Sequence, residues 1–200
     1  MAETEATTLP GLPSPDVLCA ICEGRWDDPF AVLGGHKVGR SRYVTAFDPG
    51  AETLSAKIGS KSHPLTPVPG FSGVFHGKVP GQKPYVLVGT AHGVEFSYDD
   101  AYRFGPVLGD LDEYLLGEGS HKRLWQALGA HVISHEGCDG VHFAVWAPNA
   151  QRVSVLGDFN HWDGRRHVMR RRGGTGVWEI FVPGVVDGAP YKYELVGPDG

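Results

Sequence analysis

The sequence predicts an all-β protein made of two tandem β-sandwiches, with short helices at the N-terminus and between the two units. The phrase Gly-Val-aromatic-x-x-x-Val-Pro-Gly occurs at residues 73–81 and again at 176–184, which indicates two copies of one unit. Short β-branched or aromatic runs separated by Gly or Pro turns surround both copies, as in sandwich proteins. The 29 glycines and 15 prolines also favour a turn-rich β protein.

The similarity between the two copies extends to both sides of the repeated phrase. Upstream, residues 43–51 correspond to 141–150, and each run ends at a Pro turn. Downstream, residues 85–89 correspond to 191–195, and glycine follows each run within a few positions. The spacing between the copies increases along the chain, as loops of different length between equivalent strands would produce.

The local patterns place helices and strands in a definite order. Ser14, Pro15 and Asp16 are typical of a helix start, and Gly24 is typical of its stop. Leucines at helical intervals between residues 108 and 128 predict a helical connector. The expected strands are 43–47, 53–58, 73–79, 85–89 and 94–98 before the connector, and 141–146, 152–156, 177–182 and 191–196 after it.

These elements divide the chain into four segments. The expected segments are a disordered lead at 1–13, an N-terminal β-sandwich at 14–106, a helical connector at 107–130 and a second sandwich at 131–200. The second unit reaches a turn at Asp199-Gly200 without the strand that follows the equivalent turn in the first unit. We therefore expect an incomplete second sandwich with an unpaired strand edge.

Charge and hydropathy exclude several classes of partner. The net charge of −5 argues against a basic nucleic-acid surface and favours a neutral or polar ligand. The first residues lack the basic and apolar parts of a secretory signal, and no apolar run reaches membrane-spanning length. A cytoplasmic monomer without a nucleic-acid or membrane partner is expected.

Cysteine and histidine spacing does not indicate a metal or cofactor site. Three cysteines are too few for a disulfide scaffold. Cys19 and Cys22 have redox or zinc spacing but lack a second ligand pair, so small buried side chains are favoured over a redox pair. His131 and His135 flank the start of a strand, which disfavours a metal pair. No metal and no cofactor is expected.

The remaining conspicuous residues have structural interpretations. The basic cluster at residues 165–172 is interpreted as a solvated edge that discourages strand pairing, with an anion site as the alternative. Trp146 and Trp178 lie in alternating strands and are expected in the core. Trp26 and Trp125 lie beside helical segments and are expected to be packing residues.

A family resemblance rests on motifs in the second unit. These are Phe-Ala-Val-Trp-Ala-Pro-Asn-Ala at 143–150, Val-Ser-Val-Leu-Gly-Asp-Phe-Asn-His-Trp-Asp at 153–163, Gly-Val-Trp-Glu at 176–179 and Tyr-Lys-Tyr-Glu at 191–194. In this order they closely resemble a family 48 carbohydrate-binding module, an immunoglobulin-like sandwich attached to α-glucan-active enzymes.

Motifs in the first unit and connector narrow the resemblance. Residues 28–36, 100–106, 116–121 and 128–131 are similar to the N-terminal extension and connector of bacterial glycogen branching enzymes. The resemblance covers about residues 20–200. It implies two tandem immunoglobulin-like β-sandwiches that bind and position glucan. The parent enzyme would transfer a segment of an α-1,4-glucan chain to a 6-hydroxyl, forming α-1,6 branches in glycogen.

The catalytic part implied by the resemblance does not fit in this chain. Such enzymes use an Asp nucleophile and a Glu acid/base on a TIM barrel, with the two carboxyl groups about 5 Å apart. A barrel of that class needs about 250 residues. No catalytic residue is therefore assigned in 1–200, and Asp27-Asp28 and Asp99-Asp100 are expected to be caps and turn residues. The expected partners are α-glucan, as glycogen or maltooligosaccharide, and the catalytic barrel of the same parent chain.

Three residues are the candidate substrate-binding set. Trp162 matches the tryptophan that stacks on sugar in glycogen-binding modules, and Lys192 matches a lysine that assists it. Asn160 is expected to donate or accept an edge hydrogen bond to the sugar. An equally weighted alternative is that Trp162 anchors the module against the barrel. The rival functions are a free-standing glycogen-binding regulatory module and the front of a debranching or trehalose-releasing enzyme.

Overall fold

The regular structure is mostly antiparallel β-sheet, which confirms the predicted fold class. A computed structural model describes residues 9–198. Its helices are α1 (Pro15–Cys22), α2 (Asp110–Gly117) and α3 (Leu124–Ala127). The first unit contains β1 (Gly34–Val38), β2 (Ser41–Phe47), β3 (Thr53–Ile58), β4 (Lys61–Pro67), β5 (Val74–Val79), β6 (Val86–Ala91) and β7 (Val94–Tyr98). The second contains β8 (Gly129–His135), β9 (Cys138–Trp146), β10 (Arg152–Gly157), β11 (Arg170–Arg172), β12 (Val177–Pro183) and β13 (Tyr191–Val196).

The segment before α1 lies against the first sandwich. Residues 1–8, within the expected disordered lead, and the expected turn at 199–200 lie outside the described residues. Leu12 packs on a cluster of buried apolar side chains. The Pro10 carbonyl accepts a hydrogen bond from His76 Nε2 at 3.0 Å. Residues 9–13 therefore differ from the expected disordered lead, because they pack on the sandwich.

Helix α1 forms where the sequence predicted it. Its first residue is Pro15, and Gly24 follows the helix with a left-handed φ of 64°. Leu18 and Ile21 face the sandwich and are buried. Cys19 faces solvent, so the expectation of a buried thiol is wrong there, while Cys22 is half-buried. A hydrogen bond to Glu23 raises the pKa of Cys19, and burial raises the pKa of Cys22, so both sulfurs favour the thiol form rather than a reactive thiolate.

The strands of the first unit have the order β1-β2-β5-β4-β3-β6-β7. Strand β4 joins the two layers, since it pairs with β3 up to Leu65 and then with β5 through Thr66 and Pro67. Apolar side chains from both layers fill the space between them. They are Val44, Ala46, Leu54, Ala56, Leu65, Phe75, Val79, Tyr85 and Leu87.

The second unit has a four-stranded sheet in the order β11-β12-β9-β8 and a two-stranded sheet of β10 and β13. Its core lies between these sheets and includes Val141, Phe143, Val153, Val155, Met169, Trp178, Ile180 and Val182. Within residues 9–198, β13 pairs only with β10, whereas the corresponding β6 pairs with both β3 and β7.

The duplicated phrase forms equivalent strands in the two units. Strand β5 pairs with β2 beginning at Phe47 and Val74, and β12 pairs with β9 beginning at Trp146 and Val177. The repeat also includes a Leu-Gly-x-His segment before the first strand of each unit. His36 Nε2 donates to the Leu33 carbonyl at 2.9 Å, and His131 Nε2 donates to the Leu128 carbonyl at 2.9 Å. The duplication is thus longer than the sequence comparison indicated.

The two strand tryptophans of the second unit lie on opposite faces of one sheet. Trp178 is 1% exposed in the core, as expected. Trp146 is 61% exposed, so the expectation that it lies in the core is wrong. It pairs with Val177 and therefore shares the outer face of the sheet. Its indole Nε1 donates to the Thr175 carbonyl at 3.2 Å, and the connector covers other residues of that face.

The connector is helical, as predicted, and covers the outer face of β9 and β12. Leu108 and Ala127 pack there against Ala144 and Val177. Glu179 on this face accepts hydrogen bonds from the Leu108 amide at 3.0 Å and from His142 Nε2 at 2.9 Å. Burial alone would raise the pKa of Glu179, but these hydrogen bonds and the Arg172 charge hold it below its usual value.

The arginine cluster joins the second unit to the first unit and connector, so its interpretation as a solvated edge is wrong. Arg166 pairs with Asp48 at 2.9 Å. Arg170 donates to the Phe104 carbonyl and lies 3.5 Å from the Phe30 ring centroid. The same segment forms β11, which pairs with β12. Most of their acceptors lie in distant segments, on the Asp48 and Glu113 carboxylates and on the Phe104 and Leu108 carbonyls, so a local basic pattern does not reveal them.

Candidate functional site

The loop between β10 and β11 is the main departure of the second unit from the first. In the first unit, β3 and β4 are connected by the tight turn at Gly59 and Ser60. In the second, the chain leaves β10 at Gly157 and forms a 3₁₀ turn at Asp158–Asn160. It then returns beside β10 only at Val168, which bridges to Ser154. The expected sugar-binding tryptophan lies in this longer connection.

Asn160 stabilises the loop through buried side-chain hydrogen bonds. Its side chain is buried, with the residue 1% exposed. Its Oδ1 accepts from the Gly157 amide at 3.0 Å, and its Nδ2 donates to the Val155 carbonyl at 2.8 Å. The same Nδ2 lies 3.0 Å from His167 Nδ1. These contacts do not fit the expected hydrogen bond to a sugar edge, and they give Asn160 a positioning role instead.

The backbone at the tip of the loop is strained. His161 and Trp162 have φ values of 57° and 58°, in the left-handed region that non-glycine residues rarely adopt. The Trp162 amide donates to the Gly157 carbonyl at 3.0 Å. Consecutive left-handed residues cost of order 1–3 kcal/mol each and persist where the surrounding structure fixes them, often at binding sites.

The Trp162 side chain combines exposure with a fixed orientation. It is 42% exposed. Its indole Nε1 donates to Asp158 Oδ1 at 2.8 Å, so the polar part of the ring is bonded inside the loop. The exposed ring surface can therefore contact an apolar ligand face without losing an indole hydrogen bond.

Lys192 lies on β13, where the strand passes the start of the loop. Leu156 is its register partner, and the adjacent Tyr191 pairs with Gly157. Lys192 is exposed and shares a sheet face with Glu194, two positions along the strand. Arg152 links Glu194 to the loop, because it pairs with that carboxylate and donates to the Gly164 carbonyl at 3.1 Å. Lys192 and the loop thus occupy the same side of the module.

One further ion pair stabilises the part of the loop that follows Trp162. Arg165 donates to Asp163 Oδ1 through Nε at 2.9 Å and to Oδ2 through a terminal nitrogen at 2.7 Å. This bidentate contact lowers the pKa of Asp163. Asp158, Arg152 and Asp163 have supporting roles that sequence reasoning missed. Arg152 meets Glu194 only in the folded chain, and the short spacings from Asp158 to Trp162 and from Asp163 to Arg165 do not by themselves indicate a hydrogen bond.

Catalytic and metal chemistry are not assigned to the described residues. Among residues 9–198, no group of three or more His, Cys, Asp or Glu side chains is placed to hold a metal ion. Asp100 accepts from the Tyr102 amide at 3.0 Å and caps a 3₁₀ turn, as expected. His135 Nε2 donates to the Gly105 carbonyl at 3.1 Å.

Each helix in this part of the chain is too short or too polar to cross a membrane.

Two protein-family models match the two units. Residues 14–102 match the model described as alpha-1,4-glucan branching enzyme GlgB, N-terminal domain. Residues 127–200 match carbohydrate-binding module 48, also described as the isoamylase N-terminal domain. The matched segments lie on either side of the connector helix α2.

Curated relatives match nearly the whole chain. The 1,4-alpha-glucan branching enzyme GlgB of Roseobacter denitrificans is 56% identical over 191 residues, covering 92% of this chain and 25% of the relative. The protein of the same name from Mesorhizobium japonicum is 52% identical over 202 residues, covering 98% and 27%. The chain thus spans about a quarter of the length of these relatives.

A solved structure is also similar to this chain. It is a pullulanase type I from Bacillus subtilis, complexed with maltose, which is 15% identical with a TM-score of 0.30 over 84% of this chain and 23% of that chain.

Proposed function

The chain belongs to the 1,4-alpha-glucan branching enzyme family as its N-terminal region with a family 48 carbohydrate-binding module, and from this premise we propose that it binds α-glucan. The ligand is an α-1,4-linked chain, as in glycogen or a maltooligosaccharide. The binding surface is the loop that carries Trp162, with Lys192 beside it. Asn160 positions the loop and does not contact the sugar.

The observation that supports this proposal most directly is that the Trp162 side chain is both exposed and held in one orientation. Its ring is partly exposed while its Nε1 is bonded to Asp158. A sugar presents an apolar face edged by hydroxyl groups, so a fixed aromatic ring can cover the face while a nearby amine bonds an edge. Lys192 lies next to the start of the loop in strand register and supplies that amine.

The wider proposal concerns the parent enzyme. It transfers a segment of an α-1,4-glucan chain to a 6-hydroxyl and forms α-1,6 branches, and these two sandwiches position glucan for a catalytic barrel in the same parent chain. No catalytic residue is assigned to residues 1–200. The same proposal includes a cytoplasmic location and a monomeric state. The rival functions are a free-standing glycogen-binding regulatory module and the front of a debranching or trehalose-releasing enzyme.

Binding of maltoheptaose and of glycogen to the chain tests the ligand-binding proposal. Trp162→Ala should weaken maltoheptaose binding by about tenfold or more, as loss of roughly 1.4 kcal/mol would produce. Trp162→Phe should retain part of the affinity, because it keeps an aromatic face. Lys192→Met should cause a smaller loss, since it removes the amine but keeps a long apolar stem.

Trp125→Ala is the matched control for these variants. Trp125 lies on α3, outside the loop, and is 68% exposed, so it tests for nonspecific contact between sugar and exposed indole. Its removal should leave the affinity unchanged. Equal maltoheptaose affinity in the wild type and Trp162→Ala would remove Trp162 from the binding site and favour its alternative role as an anchor against the barrel.

A further inference from the structure

A cleft of about 560 Å³ lies where the two sandwiches meet. The first sandwich contributes the end of β2 and edge strand β7, and the second contributes the β10–β11 loop. His161 of that loop lines the cleft and is the immediate neighbour of Trp162. The volume falls within the range of roughly 300–1,000 Å³ common for small-molecule sites.

One wall of the cleft is aromatic. Phe96 and Tyr98 occupy alternate positions on β7 and therefore share a face. Their ring centroids are 5.7 Å apart, and their planes differ by 21°, so the two rings form a nearly continuous strip. Tyr98 is 37% exposed, and its hydroxyl donates to Asp48 Oδ2 at 3.0 Å. This bond fixes the ring while leaving part of its surface open to the cleft.

Polar groups from both units edge the cleft. Arg166 and Asp48 form its ion-paired floor, with the Asp48 Oδ1 also accepting from the Gly50 amide at 3.0 Å. His92 of the first sandwich and His161 of the second also line the cleft, and both are exposed. Their imidazole rings can donate or accept hydrogen bonds, which suits the hydroxyl groups along a sugar chain.

Two residues that line this cleft have a left-handed backbone conformation. Among residues 9–198, four non-glycine residues have a left-handed φ: His92, Glu136, His161 and Trp162. His92 and His161 line the cleft, and Trp162 follows His161 directly. His92 has this φ as the first residue of the two-residue β6–β7 hairpin turn. His161 and Trp162 lie in no hairpin turn, so the strain at the cleft comes from the loop of the second sandwich.

We infer that an α-glucan chain in contact with Trp162 continues into this cleft and contacts Phe96 and Tyr98, so that one binding site spans both sandwiches. The inference rests on the proposed function, from which it takes the class of ligand. The first unit supplies the aromatic face of β7, and the second supplies the loop that carries Trp162. Affinity should consequently increase with glucan length, because only a longer chain reaches both surfaces.

Binding of maltotriose and maltoheptaose to single variants tests this inference. Phe96→Ala removes one ring of the strip and should weaken maltoheptaose binding by about fivefold to tenfold. Maltotriose, seated at Trp162, should bind as it does to the wild type. His92→Gly should lower maltoheptaose affinity in the same selective way, and it should fold normally because glycine accepts the φ of 50° at that position.

Two comparisons distinguish glucan binding in the cleft from glucan binding at the Trp162 loop. Ser97→Ala is the control on the same strand, because Ser97 is exposed on the opposite face of β7 from Phe96 and Tyr98, so maltoheptaose affinity should be retained. Thermal unfolding checks that each variant is folded. If Phe96→Ala and His92→Gly both bind maltoheptaose like the wild type while Trp162→Ala does not, the extended site is overturned and the proposed function stands. If the wild type binds neither saccharide, both the proposed function and the extended site are overturned.

Discussion

The Arg166 guanidinium of the second sandwich lies 2.9 Å from the Asp48 carboxylate of the first. Both side chains are largely buried, and Asp48 also accepts from the Tyr98 hydroxyl. Beside this pair, the Tyr102 hydroxyl accepts from the Val168 amide at 3.0 Å and donates to the Arg166 carbonyl at 3.2 Å. The junction between the units is therefore a fixed part of the fold, and its rigidity is what gives the cleft a defined shape.

Removing the Arg166 side chain should destabilise the protein strongly. Arg166→Ala leaves the buried Asp48 carboxylate without its cation, and we expect the free energy of unfolding to fall by about 2–4 kcal/mol. Urea denaturation measures the change. Arg171→Ala in the same basic segment is the control, because Arg171 is exposed and its loss should change stability by less than about 0.5 kcal/mol. Equal effects of the two substitutions would contradict the role of the interdomain pair.

Asn160 should be needed for both stability and glucan binding. Asn160→Ala leaves the Gly157 amide and the Val155 carbonyl without their side-chain partners, and each unsatisfied buried group costs about 1–3 kcal/mol. We expect unfolding free energy to fall by about 2–4 kcal/mol and maltoheptaose binding to weaken as the loop loses its shape. Asn149→Ala, in an exposed turn, should change neither. A stable Asn160→Ala variant with normal binding would exclude the positioning role.

Gly176 should not tolerate a side chain. Its φ is 77°, and an added Cβ would lie 2.7 Å from Pro148 Cβ. The corresponding Gly73 of the first unit has a φ of 83° and meets Pro49 in the same way. Gly176→Ala should therefore lower stability by about 2 kcal/mol or more, measured by thermal and urea unfolding. Gly174→Ala is the matched control, since an added Cβ there meets nothing within 4 Å. Comparable losses in both would show that strain at Gly176 is unimportant.

The partly buried imidazole of His167 should make stability depend on pH. Burial, helped by the Arg166 charge, lowers the pKa of His167 from 6.5 to about 4. At intermediate pH the unfolded chain binds a proton that the folded chain does not, so stability is fully present above pH 6.5 and is lost as pH falls toward 4. Below that pH the loss amounts to about 2–3 kcal/mol.

Urea unfolding between pH 7 and pH 4 measures this effect of His167. His167→Gln removes the titrating group and should flatten the decline in unfolding free energy, even if its stability at pH 7 is lower. Protonation also adds a hydrogen to the nitrogen that faces Asn160 Nδ2 at 3.0 Å, so glucan binding should weaken over the same range. Parallel pH curves for wild type and variant would rule out His167 as the source.

The sequence predicted most of the secondary structure because each element carries a local signal. Helix α1 was recognised from Ser14, Pro15 and Gly24, and the strands were recognised from their short β-branched runs and turns. The duplicated phrase also identified β5 and β12 as equivalent. The repeated phrase did not extend to the Leu-Gly-x-His segments that contain His36 and His131. Their equivalence became clear from the matching bonds to the Leu33 and Leu128 carbonyls in the folded backbone.

The candidate site was predicted less completely than the fold. The motif led to Trp162 and Lys192, and in the structure Trp162 lies at the tip of the β10–β11 loop while Lys192 lies on β13 beside the start of that loop. The motif also identified Asn160, but it did not predict which way the side chain points. A side-chain amide can form hydrogen bonds either to a ligand or to the backbone of its own loop. The cleft at Tyr98 had no sequence signal, because its two sides are distant in the chain and meet only when the sandwiches pack together.

The sequence by itself determined two copies of a β-sandwich, the helical connector and the family of the chain, since periodicity, turn residues and motif order are properties of neighbouring residues. Only the tertiary structure decided which face of each strand is covered. Trp146 and Trp178 have similar local surroundings in the sequence, yet one is exposed and the other buried. Likewise, Arg166 pairs with a carboxylate more than a hundred residues away. Burial and ion pairing depend on contacts between distant segments, which local patterns do not contain.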